Sequence, residues 1–152
     1  MKILFVCQAN MCRSVMAEAL FDQESKKQGL DTDVNSAGLM GFAGTAPTFE
    51  TISVMKEAGV DVKDHETRPL SPHDIRDSEL VITMTQAQKD LIVEKIGQEE
   101  TKILTLSESA GDDAGDIMDP TEKEEEKHAE IRDQISGLVG RLVGRIKAGE
   151  LP

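Results

Sequence analysis

The sequence contains no tryptophan and no tyrosine, and its only aromatic residues are four phenylalanines. Tryptophan and tyrosine are the residues that most often anchor protein partners, and aromatic rings are the usual platforms on which nucleic-acid bases stack. This scarcity disfavours both an aromatic-rich partner interface and a base-stacking surface.

Positive charge is also scarce, since 17 lysines and arginines stand against 29 aspartates and glutamates, for a net charge of −12. Such a balance disfavours a nonspecific nucleic-acid surface, and we expect no nucleic-acid partner. Any site for an anion must therefore be local, built from backbone amides and a few placed cations.

Cysteines number only two, Cys7 and Cys12, so the disulfide framework of a small secreted protein is not supported. The apolar runs are much shorter than the ~20 residues that cross a bilayer, and no signal-peptide core precedes the first of them. We expect a cytoplasmic protein with no membrane partner. At 152 residues, the chain fits one domain over residues 1–152.

Cysteine and histidine, the usual ligands of zinc, are equally sparse. Cys7 and Cys12 lack a second pair of ligands at zinc-site spacing, and His65, His73 and His128 are scattered along the chain. We therefore expect no metal and no other cofactor.

What the chain does have is an alternation of short apolar runs with segments of helical periodicity. Strands are predicted over residues 3–6, 32–36, 80–84 and 102–106, and helices over residues 15–28, 48–58, 72–76, 86–96 and 122–146. Strands alternating with helices predict a single-domain α/β fold, with a four-stranded parallel sheet of flavodoxin-like order 2-1-3-4 and helices on both faces. This order places the end of the first strand at the switch point, where ligands usually bind.

Local motifs predict where several helices begin and end. Ser71 before Pro72 is typical of an N-cap, and Gly97 is expected to end the fourth helix. Three glycines of the last helix are expected to serve close packing, and Glu18 is expected to face water. Two capping boxes are predicted, Thr85 with Gln88 and Thr121 with Glu124. The three glycines of the last helix are Gly137, Gly140 and Gly144. The apolar helix residues expected to be buried include Ile52, Met55, Leu91, Ile92 and Ile96.

The stretch from Cys7 to Ser14 carries the chemistry. It lies between the first strand and the first helix, where loop amides and the helix N-terminus favour an anion and where the thiolate form of Cys7 is favoured. Arg13 offers a bidentate guanidinium to phosphoryl oxygens. The residues expected to surround a phosphate are Gln8, Ala9, Asn10, Met11, Cys12, Arg13 and Ser14.

A leaving group needs a proton, and Asp119 is the predicted donor because Pro120 stiffens the backbone beside it. Cys7 would become phosphorylated, after which the Asp119 carboxylate would activate water to release inorganic phosphate. Ser14 would help the sulfur leave. No metal is needed, because amides and Arg13 stabilise the phosphoryl charge.

These residues resemble the low-molecular-weight protein tyrosine phosphatase family. The match covers nearly the whole chain in the family's order and is more specific than a cysteine and an arginine at the right spacing. It implies Cys7 as nucleophile, Arg13 as phosphate clamp, Asp119 as general acid, and a phosphorylated protein or small aryl phosphate as substrate. The matching segments are residues 3–6, Cys7-x-x-Asn10-x-Cys12-Arg13-Ser14, Ser36-Ala37-Gly38, residues 80–85 and Asp119-Pro120.

Three positions depart from the family pattern. Glycine is usual where Ala9 stands, so the loop either differs there or carries backbone strain. Proline is usual where Val15 stands. An aromatic residue is usual where Thr121 stands, so one wall of the phosphotyrosine slot is expected to be missing, and Phe42 is expected to supply a face alone.

Alternative functions remain open at this point. The protein arginine phosphatase branch resembles the chain around residues 83–85 but usually has threonine where Met11 stands, and the bulkier Met11 favours phosphotyrosine. Arsenate reductases need shuttle cysteines that this chain lacks. A catalytically silent phosphate-binding or redox-sensing module is a further possibility.

Three side chains also have two interpretations each. Cys12 is either inert packing or the partner of Cys7 in a reversible disulfide that protects the nucleophile. Phe42, like Met11, either lines the entrance to the site or packs ordinarily.

Overall fold

The computed structural model describes residues 1–96 and 102–151, with Lys102 described by its backbone alone. Within these ranges, four parallel strands form one sheet in the order β2-β1-β3-β4. They are β1 (Lys2–Cys7), β2 (Asp33–Gly38), β3 (Leu80–Thr83) and β4 (Lys102–Thr105). The predicted fold class and strand order are confirmed.

Helices cover both faces of this sheet, as predicted. Side chains of β1 alternate, so that Ile3, Phe5 and Cys7 join one apolar cluster and Leu4 and Val6 join the other. The first cluster includes residues of α1 (Arg13–Lys27), α2 (Phe49–Glu57), α5 (Leu106–Ser109) and α6 (Glu125–Lys147), and the second includes residues of α3 (Pro72–Asp77) and α4 (Gln86–Ile96). Across the described ranges, no helix combines the length and apolar character needed to cross a membrane.

Two helix starts follow the sequence motifs. The Ser71 hydroxyl accepts a hydrogen bond from the Asp74 amide at the start of α3. Thr85 and Gln88 exchange the reciprocal bonds of a capping box at the start of α4. The predicted end of α4 at Gly97 lies outside the described residues.

Two other local predictions are wrong. The box of Thr121 with Glu124 does not form, because the Thr121 hydroxyl bonds to Asp119 instead, and α6 begins after Glu124 without a side-chain cap. The glycines of α6 do not serve close packing. A β-carbon added to any of the three would have no atom within 4 Å, since they lie on the solvent side; they are Gly137, Gly140 and Gly144.

Burial and helix content also differ from expectation in places. Leu91 is 37% exposed, whereas Ile92 is buried, and Val54 rather than Ile52 joins Met55 in the core. The short helix α5 is unpredicted, although Thr105 and Glu108 form a capping box at its start. The first helix begins at Arg13, directly after the predicted anion loop.

Candidate active site

The candidate site is the loop of residues 8–12, which connects the carboxyl end of β1 to the N-terminus of α1. The last residue of β1, Cys7, pairs with Gly38 of β2, and β3 lies on the other side of β1. The loop therefore sits at the switch point of the sheet, and the free amides at the start of α1 are directed into it. This is the place that the strand order predicted.

The Cys7 thiol is nearly enclosed, with 3% of the residue exposed, and it donates a hydrogen bond to the Ser14 hydroxyl. The sulfur and this oxygen are 2.9 Å apart. Because a hydroxyl can turn and donate, Ser14 is also able to stabilise a thiolate at the same position. The predicted pairing of Cys7 with Ser14 is present.

Asn10 holds the loop in shape. Its amide nitrogen donates to the hydroxyls of Ser14 at 2.8 Å and Ser36 at 2.9 Å, and its carbonyl oxygen accepts from the Arg68 amide at 3.1 Å. The same oxygen lies 3.2 Å from His65 Nε2. Asn10 is fully buried, so this bonding compensates for the loss of water around its amide group.

Backbone strain in the loop falls on Asn10 rather than on Ala9. Asn10 has a φ of 59°, in the left-handed region, whereas Ala9 is not among the residues of positive φ. Asparagine tolerates this conformation better than other residues with a β-carbon. Of the two alternatives stated for Ala9, a differing loop or backbone strain, the structure does not show the strain, because the residue after it takes the left-handed conformation.

Behind Asn10 lies a half-buried carboxyl group that sequence reasoning assigned to the surface. Glu18 accepts a hydrogen bond from the Ser36 hydroxyl at 2.7 Å, and its carboxylate lies 3.6 Å from His65 Nδ1. Burial raises the pKa of Glu18, against the opposing effects of the Ser36 bond and the charges of His65 and Arg68. Only the tertiary contacts reveal that Glu18 and His65 support the loop.

The segment after β2 packs directly on the loop. Leu39 and Met40 donate their amides to the carbonyls of Cys7 at 2.9 Å and Gln8 at 2.8 Å. Farther along this segment, Thr48 donates its amide to the Met11 carbonyl at 3.1 Å. These carbonyls are therefore engaged outside the concave side of the loop of residues 8–12, the phosphate cup. This leaves the loop amides available for an anion.

Arg13 is buried, with its side chain 5% exposed, and one end of its guanidinium is fixed. Nη1 donates to the Ile117 carbonyl at 2.8 Å. Nη2 lies 3.7 Å from Asp119 Oδ2, and the buried Nε has no hydrogen-bond partner. A buried cation with unused donors is suited to a bound oxyanion.

Asp119 is about half exposed and lies on the loop that carries Ile117. Its two carboxylate oxygens have different partners. Oδ1 accepts two hydrogen bonds from Thr121, from the amide at 3.0 Å and from the hydroxyl at 2.7 Å. Burial alone would raise the pKa of Asp119, but the Thr121 bonds and the charges of Arg13 and His128 outweigh it and hold the pKa below the usual 3.8. Asp119 and Arg13 are thus brought together as predicted.

Cys12 is the last residue of the loop, and its sulfur contacts polar side chains. Its sulfur is 3.4 Å from the Thr48 hydroxyl, 3.6 Å from the Thr121 hydroxyl and 3.9 Å from His128 Nε2. Burial raises the pKa of the Cys12 thiol, and the threonine hydroxyls oppose that effect only in part. His128 is buried and was not assigned to the site from sequence.

The other predicted site residues, Gln8, Met11 and Phe42, are exposed or partly buried. Gln8 is exposed, and Met11 is partly buried. Phe42 is 83% exposed, and its carbonyl accepts a hydrogen bond from the Thr67 hydroxyl. In the part of the chain that the structure describes, no cluster of three or more metal-ligating side chains occurs.

Taken together, the site holds a buried thiol, an anion-binding loop, a buried guanidinium and a partly exposed carboxyl group. This combination is suited to transfer a phosphoryl group to sulfur and then to water.

Comparison with known proteins agrees with this chemistry. The model of the family described as low molecular weight phosphotyrosine protein phosphatase matches residues 2–150. The chain is 34% identical over 120 residues to a protein-arginine-phosphatase of Bacillus subtilis, with 79% of both chains covered. It is 35% identical over 120 residues to the low molecular weight protein-tyrosine-phosphatase PtpB of Staphylococcus haemolyticus, with 79% of this chain and 81% of that protein covered.

Among solved structures, the low molecular weight protein tyrosine phosphatase from T. tengcongensis superimposes with a TM-score of 0.90 at 34% identity. The superposition covers 95% of this chain and 99% of that one.

Proposed function

The chain belongs to the low molecular weight phosphotyrosine protein phosphatase family, whose members are cysteine-dependent hydrolases, and we propose that it hydrolyses protein phosphotyrosine through Cys7, Arg13 and Asp119. The single observation that supports these roles is the position of the Asp119 carboxylate, 3.7 Å from the guanidinium that borders the Cys7 loop. Nucleophile, phosphate clamp and proton donor thus share one cup.

In the first step, the Cys7 thiolate attacks phosphorus and forms a sulfur–phosphorus bond. The bond from phosphorus to the tyrosyl oxygen breaks, and that oxygen takes the proton of Asp119. The loop amides of residues 8–13 and the Arg13 guanidinium hold the three equatorial oxygens, whose charge increases in the transition state.

In the second step, the Asp119 carboxylate takes a proton from water while the water oxygen attacks phosphorus. The sulfur–phosphorus bond breaks, inorganic phosphate leaves, and Ser14 donates a hydrogen bond to the departing thiolate. No residue ends the cycle changed in protonation, because the proton that Asp119 gave is recovered from water.

The low pKa of Asp119 in the free protein sets a condition on this cycle. The first step needs a protonated Asp119, and a bound phosphate dianion beside the carboxyl group raises its pKa through like-charge repulsion. We therefore expect a rate optimum at mildly acidic pH.

The test is hydrolysis of phenyl phosphate, whose leaving group needs a proton, by three variants. Cys7→Ser and Arg13→Ala should abolish turnover, whereas Asp119→Ala should slow kcat by about 10²–10⁴-fold and retain inhibition by phosphate. Ser25→Ala, a change of a buried serine on α1 outside the loop, serves as the control. Full activity of Cys7→Ser would end the proposal.

The second candidate is a protein arginine phosphatase, because the relative from Bacillus subtilis carries that name at similar identity. Parallel assays on phosphotyrosine and phosphoarginine peptides of the same sequence separate the two. We expect a higher kcat/KM on phosphotyrosine on the premise that the bulky Met11 lines the entrance to the site, and Met11→Thr tests that premise. A higher kcat/KM on phosphoarginine would assign the chain to the second class.

The proposal extends to redox protection of the site. Peroxide oxidises the Cys7 thiolate to a sulfenic acid, and the Cys12 thiol then attacks that sulfur, forms a disulfide and releases water. A free thiol nucleophile stays reduced in a reducing compartment, so the proposed mechanism favours a cytoplasmic location for the protein. Intact-mass analysis after peroxide treatment should show the loss of two hydrogens, which Cys12→Ser should prevent; no loss in the unmodified chain would support inert packing of Cys12.

A further inference from the structure

The carboxylate of Asp119 has two oxygens in very different surroundings. Both hydrogen bonds from Thr121 end on Oδ1, which is therefore occupied by two donors. Oδ2 faces the cup at 3.7 Å from Arg13 Nη2, beyond hydrogen-bond distance. The two oxygens are not interchangeable in this structure.

This difference decides where a proton can reside. A proton on Oδ1 would have to displace one of the two donors of Thr121, whereas a proton on Oδ2 displaces none. Oδ2 is also the oxygen nearer to the guanidinium that borders the phosphate cup. The proton that reaches a leaving oxygen is therefore carried by Oδ2.

Thr121 is itself held in place on its other side. Its hydroxyl lies 3.6 Å from the Cys12 sulfur, and Cys12 in turn contacts Thr48 and His128. A hydroxyl has one hydrogen, which it donates to Asp119, and two lone pairs, one of which can accept from the Cys12 thiol. The contact links the orientation of Asp119 to the loop and to α6.

We propose that Thr121 is a positioning residue for the general acid, whose hydroxyl fixes the Asp119 carboxyl group so that Oδ2 carries the transferable proton. This inference rests on the proposed function, in which Asp119 is the proton donor. Thr121 acts on the reaction through Asp119 and not through contact with the Cys7 sulfur.

The same hydroxyl adjusts the pH at which Asp119 holds its proton. The charged groups that face Asp119 are Arg13 from α1 and His128 from α6, and both lower its pKa, as do the two Thr121 bonds; burial opposes them. In Thr121→Val, the hydroxyl bond is lost and the amide bond remains. The pKa of Asp119 should then rise, since one donor to the charged form has gone.

The experiment compares Thr121→Val, Thr121→Ser and Asp119→Asn with the unmodified chain on two substrates. p-Nitrophenyl phosphate has a leaving group that departs without a proton, whereas phenyl phosphate needs one. In Thr121→Val, kcat/KM should fall about tenfold for phenyl phosphate and less than about threefold for p-nitrophenyl phosphate, since only the first depends strongly on the acid.

Two further readouts accompany the rates. The descending limb of the pH profile of Thr121→Val should move up by about one to two pH units, as expected for one lost hydrogen bond to a charged group. Inhibition by phosphate should change by less than about twofold, because the cup is intact. Thr121→Ser should have the descending limb at the pH of the unmodified chain and the same ratio of kcat/KM for the two substrates, since it retains the hydroxyl.

The outcomes are distinguishable. Thr121→Val could keep the pH position of the descending limb and the ratio of kcat/KM for the two substrates while Asp119→Asn changes both. In that case the inference about Thr121 is overturned and the proposed function stands. If Asp119→Asn leaves both unchanged, Asp119 is not the general acid and both proposals fail. Thr121 is exposed, so we expect the Thr121→Val protein to fold, which a thermal unfolding transition checks. If Thr121→Val does not fold, the same measurements are made on Thr121→Ala.

Discussion

Gly38 approaches Ala9 so closely that a β-carbon on Gly38 would lie 2.8 Å from the Ala9 carbonyl carbon and 3.0 Å from the Asn10 amide nitrogen. These neighbours are backbone atoms of the anion loop, which cannot turn away as a side chain can. The last residue of β2 thus determines how near its strand lies to the phosphate cup.

The first prediction is that Gly38→Ala displaces the loop. We expect a loss of about 1–3 kcal/mol in the free energy of unfolding, as for overpacked sites, together with weaker inhibition by phosphate. Denaturant unfolding and phosphate inhibition measure the two effects. The matched control is Gly137→Ala on the open face of α6, which should raise stability by about 0.5–1 kcal/mol and leave kcat/KM unchanged. Unaltered phosphate inhibition in Gly38→Ala would contradict the steric argument.

The second prediction separates the backbone and side-chain roles of Asn10. Asn10→Gly keeps the left-handed conformation accessible but loses the bonds to Ser14, Ser36 and the Arg68 amide, which we expect to cost about 2–3 kcal/mol of stability. Asn10→Ala loses the same bonds and adds about 1 kcal/mol of strain. Denaturant unfolding of the two variants measures the difference, and equal stabilities would mean that the loop relaxes to negative φ.

The third prediction concerns the Ser14 hydroxyl, 2.9 Å from the Cys7 sulfur. In Ser14→Ala, the departing thiolate loses a donor, so we expect kcat to fall by about 10–100-fold, the equivalent of one hydrogen bond to a charged group. A rapid-mixing assay should show a burst of product as phosphocysteine accumulates. Ser25→Ala, a change of another buried serine on α1, should show no such burst. A kcat that falls equally in both variants would point to a general effect on the helix.

The fourth prediction is a dependence of stability on pH that arises from Glu18. Burial raises its folded-state pKa above 4.5, so the folded chain binds a proton more tightly than the unfolded chain does. The contribution of this group to stability is therefore full below pH 4.5 and is lost as the pH rises through the folded pKa. We expect the free energy of unfolding of Glu18→Gln, relative to the unmodified chain, to increase from pH 4.5 to pH 7. A difference that is constant over this range would contradict burial as the cause.

Local motifs were predictable where their partners lie within a few residues. The capping box of Thr85 with Gln88 forms as its spacing indicates, because both bonds join groups three residues apart. The box of Thr121 with Glu124 has the same spacing and does not form. Asp119 competes successfully for the Thr121 hydroxyl, since a carboxylate that also accepts the Thr121 amide is the stronger acceptor.

The supporting layer of the site was not predictable from spacing. Glu18 has the helical position of an exposed residue, and its burial depends on β2 placing Ser36 beside it. His65 reaches Asn10 from a segment far along the chain. Neither contact leaves a periodic signal, because each is created by the packing of separate elements.

The sequence alone determined the elements whose interactions are local: the apolar strand, the contiguous loop from Cys7 to Ser14, the helix after it and, through the alternation of strands and helices, the order of the sheet. Tertiary structure alone decided which distant groups meet that loop, including Gly38 against Ala9, Glu18 behind Asn10 and Asp119 beside Arg13. The reason is physical, since backbone conformation and capping depend on neighbours a few residues away, whereas burial and carboxylate pairing depend on which surfaces the folded chain brings into contact.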